Sequence, residues 1–271
     1  HADVARAGAV LIQGLGSGGS VDVELRNSLF QDNFARGTAR GGTGGAVDIR
    51  WLNLEIGNTS FVNNRAEGEC ANCFNATGGA MFTSGLTSNA LIVNSTFVDN
   101  YAGWGPGALS NDQALLYNTI FYNNTAFGLG FGSGQQHCRD AQAGGANNLQ
   151  FPIPAGETPC LPGITNLAAQ VGPVVGNAAT LLANSPAIDA GSASRCTASP
   201  VSGEDGNGTA RPIGPVCDIG AWEYAPSIAS GDCNADGSIN ATDRQLLRLE
   251  LFDGDGSNAV DARGGTANGD P

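Results

Sequence analysis

Short stretches in which apolar and polar residues alternate recur through the first half of the chain. Val21, Val23 and Leu25 alternate with acidic residues, and Leu91 and Val93 repeat the pattern further on. A period of two is typical of β-strands, because successive side chains in a strand point to opposite faces. No stretch before position 225 has the sustained spacing that indicates a helix. The pattern predicts an all-β fold built from short strands.

Two motifs alternate along the same region, and each occurs four times. The first reads Asn, Ser or Thr, any residue, Phe, two residues and Asn, and it covers 27–33, 58–64, 94–100 and 118–124. The second is Gly-Ala or Gly-Gly-Ala followed by an apolar residue, and its alanines are Ala9, Ala46, Ala80 and Ala108. A unit that cannot bury its own apolar face predicts a stacked architecture, in which neighbouring repeats cover one another.

Stacking places equivalent residues of successive repeats above one another, about 4.8 Å apart. We therefore expect the motif phenylalanines to form one column in the core: Phe30, Phe61, Phe97 and Phe121. The asparagines that open the motif are expected at left-handed turn positions, with amides that hydrogen-bond from repeat to repeat: Asn27, Asn58, Asn94 and Asn118. Asn58 and Asn94 also begin Asn-x-Ser/Thr glycosylation sequons, but a turn-forming amide explains them without a glycan.

The repeats differ in length, which predicts insertions between the strands. Successive motif phenylalanines are 31, 36 and 24 positions apart. The longer repeats contain extra segments at 36–43 and 67–77, and the second of these carries Cys70 and Cys73, which we count among the disulfide-forming cysteines. Such insertions become surface loops, often on the binding side of a stacked protein.

This alternation of Gly-Gly-Ala-apolar and Phe-x-x-Asn motifs resembles the repeats of polymorphic outer-membrane proteins. More broadly, it is similar to right-handed parallel β-helices of the pectate-lyase type. The resemblance covers 1–130 and implies that this region forms the coils of a β-solenoid. Coil stacking that continues from one molecule to the next would allow self-assembly into filaments.

The repeat decays after the fourth phenylalanine, and two new motifs follow. They are Asn-Ser-Pro-Ala-Ile-Asp-Ala-Gly at 184–191, and Arg-Pro at 211–212 followed by Cys-Asp-Ile-Gly-Ala-Trp-Glu at 217–223. The pair resembles the C-terminal part of the choice-of-anchor Q domain of bacterial surface proteins. The resemblance implies that 131–224 forms terminal coils and a disulfide-bonded cap that closes the end of the β-helix. It also implies the bridges Cys138–Cys160 and Cys196–Cys217.

Several carboxylates are candidates for chemistry. Asp189 and Asp218 could form a catalytic pair, but buried turn-bracing aspartates explain them equally well. Polysaccharide lyases and hydrolases of the resembled fold use aspartates with Arg or Lys along one sheet, and the corresponding positions here are Asp48, Arg50 and Asp112. Two acidic residues and one arginine on solvated strands are also common on ordinary protein surfaces, so we do not predict an enzyme. A carbohydrate-active β-helix remains the alternative.

The chain changes character beyond a short linker at 225–230. In 231–243, oxygen-bearing residues fall at positions 1, 3, 5, 9 and 12 of a twelve-residue loop with Gly at position 6, which is calcium-loop spacing. The loop and the helix expected at 244–249 resemble a type I dockerin repeat. The resemblance implies Ca²⁺ held by the side chains of Asp232, Asn234, Asp236 and Asp243 and the carbonyl of Ser238. A solvated acidic turn is the alternative.

The dockerin-like segment, 231–271, contains only one full loop. Gly269-Asp270-Pro271 aligns with Gly231-Asp232-Cys233, so the second repeat is truncated and docking to a cohesin is in doubt. A scaffold component docked through this tail is a further alternative. Cys233 has no evident partner, which leaves a free thiol or an intermolecular bridge.

Composition narrows the function class. The net charge is −13 and all 12 cations are arginine, which disfavours nucleic acid and anionic membranes as partners. Seven cysteines with two histidines indicate disulfides in an oxidising compartment. No signal peptide is visible and the chain starts at His1, as expected for a trimmed secreted product. The longest apolar run near the start, 9–12, is too short to span a bilayer.

These observations predict an extracellular structural or adhesive surface protein. We expect a β-solenoid rod with a small helical calcium-loop segment at its C-terminus. Its expected partners are a surface polysaccharide or protein, or further copies of itself that assemble by coil stacking or through the tail.

Overall fold

A computed structural model describes residues 5–14, 22–38, 41–69, 76–86, 90–110, 113–128, 132–139, 142–155, 157–226, 241–242 and 244–245. The chain divides into two compact units, His1–Tyr224 and Ala225–Pro271. In the second unit, Ala241, Thr242, Arg244 and Gln245 are helical and exposed. The first unit is described below.

Strands make up nearly all of the regular structure, and they fall into sets that follow the sequence repeats. We call each set a layer. The first layer contains β1 (Ala5–Arg6), β2 (Val10–Gln13), β3 (Asp22–Arg26), β4 (Leu29–Gln31) and β5 (Phe34–Gly37). The second contains β6 (Gly42–Thr43), β7 (Val47–Arg50), β8 (Asn53–Gly57), β9 (Ser60–Val62) and β10 (Arg65–Gly68).

The third layer contains β11 (Met81–Ser84), β12 (Ala90–Val93), β13 (Thr96–Val98) and β14 (Tyr101–Ala102). The fourth contains β15 (Leu109–Ser110), β16 (Ala114–Tyr117), β17 (Ile120–Tyr122) and β18 (Thr125–Gly128). After β19 (Gly132–Gln135), the fifth layer contains β20 (Gly144–Ala146) and β21 (Leu149–Phe151). The hairpin β22 (Val171–Val175) and β23 (Ala178–Leu181) follows, and then the short helix α1 (Ala193–Thr197).

Four sheets are built by parallel pairing between layers. Sheet I has the order β15-β11-β7-β2, sheet II β20-β16-β12-β8-β3, and sheet III β21-β17-β13-β9-β4. Sheet IV has the order β18-β14-β10-β5, and β19 pairs antiparallel with its β18 edge. Each of the first four layers therefore gives one strand to each of the four sheets, in chain order, and the fifth layer gives β20 to sheet II and β21 to sheet III. The prediction of an all-β fold with parallel sheets is confirmed.

The motif phenylalanines form the predicted column. Phe30, Phe61, Phe97 and Phe121 are in register in sheet III. Their ring centroids are 5.1, 4.7 and 5.1 Å apart and the planes are within 12° of parallel. Stacked aromatic pairs contribute about 0.5–1.5 kcal/mol each beyond the apolar area that they bury. Gln150 takes the next position in the register and ends the column.

The Gly-Ala motif permits the close approach of neighbouring layers. A Cβ atom on Gly45 would lie 1.8 Å from the carbonyl oxygen of Gly79, and one on Gly79 would lie 2.2 Å from that of Gly107. Any side chain there would force the layers apart. The alanines that follow, Ala46 and Ala80, are fully buried in the main core between the sheets.

One end of the stack is closed. The disulfide Cys138–Cys160 links two segments at this end. In the first, Cys138 pairs with Leu109 of the fourth layer; just after the second, Thr165 pairs with Leu149 of the fifth layer. Leu161 and Ile164 pack against the main core beside Cys160. Cys196–Cys217 is the second disulfide, and both bridges are the pairs that the resemblance implied.

Residues 169–224, which we call the C-terminal flank, lie along the side of the stack. We expected them to close its end, but they contact every layer. The contacts, from the first layer to the fifth, are Arg26 with Ser199, Ser60 with Ala179, Thr96 with Ala221, Asn118 with Ser192, and Asn147 with Ala190. Pro200 packs directly on Gly57, where a Cβ would lie 2.7 Å from its carbonyl oxygen.

A second hydrophobic core explains this placement. Ile120 and Leu149 point away from the main core, on the outer face of sheet III, and they pack against Leu181, Ala187 and Ile219 of the C-terminal flank. A sheet that is apolar on both faces must be covered on both. At the register position that Ile120 and Leu149 share, the second and third layers carry Ser60 and Thr96, so the sequence gives a weak signal of this core.

Candidate functional site

The expected calcium ligands lie outside the described residues. These ligands are Asp232, Asn234, Asp236, Ser238 and Asp243. The predicted disulfide cysteines Cys70 and Cys73 and the candidate acid Asp112 also lie outside the described residues. Within the ranges that the structure does describe, no group of three or more His, Cys, Asp or Glu side chains is placed to hold a metal ion.

Asp48 and Arg50 form a closed ion pair on the outer face of sheet I. Arg50 donates from Nε to Oδ1 of Asp48 at 2.7 Å and from Nη2 to Oδ2 at 2.8 Å. The hydroxyl of Thr43 donates to the same Oδ2 at 2.6 Å. Asp48 is fully buried, and the Arg50 guanidinium lies 4.6 Å from the centre of the Phe82 ring. Both carboxylate oxygens of this candidate acid are therefore engaged within the protein.

An open acidic groove lies on the outer face of sheet II. It has a volume of about 390 Å³, and Asp22, Glu24, Asn53, Glu55 and Leu91 contribute to its lining. Glu24 and Glu55 occupy the same register position on adjacent strands, so their side chains leave the same face of the sheet from backbones about 4.8 Å apart.

Two of the carboxylates in the groove have partners within the protein. Asn53 donates to Asp22 at 2.7 Å, and Arg26 forms an ion pair with Glu24. Sequence reasoning missed this groove. The groove does leave a trace in the sequence. β3 and β8 each carry two acidic or amide residues at alternate positions, which face outward on the same side of the sheet.

A buried charge cluster holds the C-terminal flank together. Arg211 pairs with Glu223 at 3.0 Å and donates to the carbonyl oxygens of Asp218 and Gly220 at 3.0 and 2.8 Å. The Asp205 carboxylate accepts the amide hydrogens of Asn207, Thr209 and Glu223. These side chains cross-link turns that contain almost no regular secondary structure.

Asp218 acts as a turn brace in this cluster. Its carboxylate accepts the amide hydrogens of Asp189 at 2.8 Å and Tyr224 at 2.5 Å. Burial raises the pKa of Asp218 to about 6, partly offset by these two hydrogen bonds, and nearby Glu223 acts in the same direction as burial. Of the two interpretations of Asp218 from sequence, the geometry favours the buried turn-bracing aspartate.

The second asparagine of each motif forms a continuous buried ladder. In each step, the backbone N–H and the side-chain Nδ2 of one asparagine donate to the Oδ1 of the next, at 2.8–3.1 Å. The ladder members are Asn33, Asn64, Asn100 and Asn124. Each of the last three also donates to the carbonyl of a motif Phe in the preceding layer. The ladder thus fixes the register of the phenylalanine column.

His137 ends this ladder at the closed end of the stack. Its Nδ1 lies 3.1 Å from Nδ2 of Asn124, and its Nε2 lies 3.0 Å from the carbonyl oxygen of Pro152. The ladder orients the Asn124 amide so that its nitrogen faces the ring, and therefore Nδ1 accepts while Nε2–H donates. Burial lowers the pKa of His137 to about 4, against a smaller opposing effect of the Pro152 carbonyl.

The first asparagines adopt the predicted left-handed conformation. Asn27, Asn58, Asn94 and Asn118 have φ between 45° and 51°. Amide hydrogen bonds join Asn58 to Asn27 and Asn118 to Asn94, but Asn94 donates to the carbonyl of Asp218 in the C-terminal flank. The repeat-to-repeat bonding is therefore interrupted once. Asn58 and Asn94 are fully buried, which leaves no room for a glycan in the folded chain.

A strip of aromatic and arginine side chains lies on the outer face of sheet IV. Phe34, Arg65 and Tyr101 are in register on adjacent strands. The Arg65 guanidinium lies 5.0 Å from the centre of the Tyr101 ring and pairs with Glu67, and Phe34 is 45% exposed. Exposed aromatic and Arg side chains are typical of interaction surfaces. We call these three residues the aromatic strip.

Comparison with known proteins gives no family, relative or fold neighbour to build on. No family model matches the chain, no curated protein matches it, and no solved structure matches it. In the described part of the chain, every helix is too short or too polar to cross a membrane.

Proposed function

We propose that this chain is an extracellular structural or adhesive protein, displayed at a cell surface as a right-handed parallel β-helix rod. The observation that carries the proposal is the set of ladders that runs through four successive layers. The phenylalanine column and the buried asparagine ladder repeat with little variation from Phe30 to Phe121 and from Asn33 to Asn124. Such regularity suits a stiff spacer.

The disposition of charged groups also supports a structural role. Charged side chains of the kind that catalysis uses form ion pairs with each other inside the fold. Asp48 pairs with Arg50, and Arg211 pairs with Glu223. The two buried disulfides are consistent with an oxidising, extracellular setting. The resemblance of the motifs at 184–191, 211–212 and 217–223 to a domain of bacterial surface proteins points in the same direction.

We further propose that the tail binds Ca²⁺ through the loop at 232–243 and that the ion stiffens this segment. The support is the ligand spacing in the sequence. A partner on the surface, either a polysaccharide or a protein, would contact the aromatic strip, where Arg65 and Tyr101 offer a cation and an aromatic ring side by side.

An adhesion assay tests this function. Intact cells of the organism that encodes the chain are passed over immobilised chain, and retained cells are counted against heat-unfolded chain as a control. We expect retention by the folded chain and reduced retention by Tyr101→Ser. Leu167→Ser instead removes an exposed apolar side chain that precedes the C-terminal flank, and it should leave retention unchanged. Retention equal to that of the unfolded control would overturn the adhesive role.

The acidic groove favours one second candidate, a carbohydrate-active enzyme. Glycoside hydrolysis uses two carboxylates about 5–9.5 Å apart, and Glu24 and Glu55 are in register on neighbouring strands. If the groove is catalytic, Glu55→Gln abolishes cleavage of acidic and neutral polysaccharides, while Glu69→Gln, at an exposed ion pair with Arg36, does not. Absence of cleavage by the unmodified chain would remove this candidate.

A further inference from the structure

A turn in the C-terminal flank exposes an asparagine directly before a glycine. Residues 205–209 form the turn, and Oδ1 of Asp205 accepts the amide hydrogens of Asn207 and Thr209 at 2.9 and 2.8 Å. Asn207 and Gly208 are both exposed. Of the asparagines in the ranges that the structure describes, Asn207 alone precedes a glycine.

This pair is chemically reactive, because an asparagine side chain can cyclise onto the backbone nitrogen of the next residue. The nitrogen of Gly208 attacks Cγ of Asn207, the bond from Cγ to Nδ2 breaks, and the Gly208 proton leaves with Nδ2 as ammonia. Water then opens either carbonyl group of the resulting succinimide ring, which gives aspartate or isoaspartate. Glycine has no Cβ to obstruct the attack. A Cβ at Gly208 would have no atom within 4 Å, so the surroundings are open as well.

The folded turn slows this reaction without preventing it. The N–H of Gly208 donates to the carbonyl oxygen of Asp205 at 3.0 Å, so the turn must open before the nitrogen can attack. Exposed backbone hydrogen bonds in turns open at a small cost in free energy. We therefore expect conversion over weeks in the folded chain, and faster conversion once the chain is unfolded.

The side chain of Asn207 also ties the turn to the β22–β23 hairpin. Its Oδ1 accepts the amide hydrogen of Asn177 at 2.6 Å, and its Nδ2 donates to the carbonyl oxygen of Val175 at 3.0 Å. Gly176 permits this approach, because a Cβ there would lie 2.3 Å from the same Oδ1. Both atoms that take part in the tie belong to the amide group that the reaction would change.

We propose that Asn207 is a deamidation site, at which water converts the amide to aspartate or isoaspartate and thereby releases the hairpin from the turn. Aspartate places a carboxylate oxygen where Nδ2 now donates, opposite the carbonyl oxygen of Val175. Two acceptors then face each other, and the hydrogen bond is lost. Isoaspartate lengthens the main chain of the turn by one atom, which moves the acceptor away from Asn177.

Peptide mass spectrometry tests the site, after the folded chain has been kept warm at mildly alkaline pH for several weeks. Deamidation adds about 1 Da to the peptide that contains the converted residue. Asn177 is an internal control, because it is also exposed but precedes Ala178, whose Cβ obstructs the attack. We expect conversion at Asn207 to exceed conversion at Asn177 by about tenfold or more. Equal conversion at the two residues, or none at Asn207, overturns the inference.

Hydrogen exchange tests the release of the hairpin. Asn207→Asp reproduces the aspartate product without incubation, and amides of 171–181 should exchange about fivefold faster, or more, than in the unmodified chain. Asn184→Asp adds the same charge at another exposed asparagine of the flank and should leave that exchange unchanged. Unchanged exchange in Asn207→Asp overturns the release, and so does exchange that becomes equally faster throughout 169–224. None of these results depends on adhesion, so failure here is distinct from failure of the proposed function.

Discussion

Protonation of His137 should destabilise the fold, because the ring terminates a ladder that presents only a donor to it. The Asn124 amide nitrogen donates to Nδ1, and the Asn124 oxygen is occupied by Asn100. A proton on Nδ1 would face that amide hydrogen directly. The ring is 2% exposed, so water cannot relieve the conflict.

The magnitude follows from the pKa of His137 in the two states. The pKa is about 4 in the folded chain and 6.5 in the unfolded chain. A folded-state pKa below the unfolded one means that the unfolded state takes up the proton first as pH falls. The stabilisation by neutral His137 is therefore complete above 6.5 and is lost progressively toward 4. The loss between about pH 7.5 and 4.5 is about 2.5 kcal/mol.

Urea unfolding of the chain and of His137→Gln, with disulfides intact, measures this loss. Gln keeps an acceptor for Asn124 and a donor for Pro152 but does not titrate in this range. We expect the variant to be less stable than the unmodified chain near neutral pH, and to gain about 2.5 kcal/mol relative to it at about pH 4.5. Comparison at the same pH cancels all other titrating groups, including His1. A stability difference that stays constant within about 0.5 kcal/mol would refute the reasoning.

Three further predictions concern the column, the charge cluster and the tail. Phe97→Ala, in the middle of the column, should cost about 3–5 kcal/mol in urea unfolding, and Phe30→Ala, in the first layer with one stacked neighbour, roughly half as much; equal costs would contradict a stacked column. Asp218 has a folded-state pKa of about 6, above its unfolded value, so its contribution to stability is present below 3.8 and is lost as pH rises through 6. The stability advantage of the unmodified chain over Asp218→Asn should shrink by about 2 kcal/mol from about pH 4.5 to 7.5, and an advantage that grows would contradict the sign. Calorimetric titration should detect one Ca²⁺ site that EDTA removes and Asp236→Ala abolishes, whereas Asp255→Ala should leave it intact; no heat of binding would remove calcium from the account.

Much of the first unit was predictable because each layer repeats the same local chemistry. Stacking turns a sequence repeat into a spatial ladder, so Phe97 could be placed beside Phe61 and Phe121 from the motif alone. The left-handed turns at Asn58 and Asn94 were predictable for the same reason, since Asn tolerates positive φ.

The C-terminal flank was harder, because its position depends on a surface and not on a repeat. Ile120 and Leu149 form the part of the outer face of sheet III that packs against the flank, and an insertion separates them in the sequence. The flank then interrupts the amide bonding between Asn58 and Asn94 by placing the carbonyl of Asp218 there. Contacts between distant segments of this kind leave no period in the sequence.

The candidate chemistry was misjudged in a similar way. Asp48 and Arg50 alternate along a strand and looked like a solvated pair, yet Asp48 is fully buried beneath its own partners. Glu24 and Glu55, which do face an open groove, are separated by 31 positions and become neighbours only through the register of β3 and β8. Outward-facing side chains vary freely between layers, so the repeat does not mark them.

The central claim is that this chain is displayed outside the cell. Immunogold electron microscopy tests it most directly, on intact, unpermeabilised cells of the organism that encodes the chain, with antibodies against the folded protein. The account predicts gold particles on the outer surface, and loss of the label after mild protease treatment of whole cells. Label that appears only after permeabilisation, inside the cytoplasm, would contradict it.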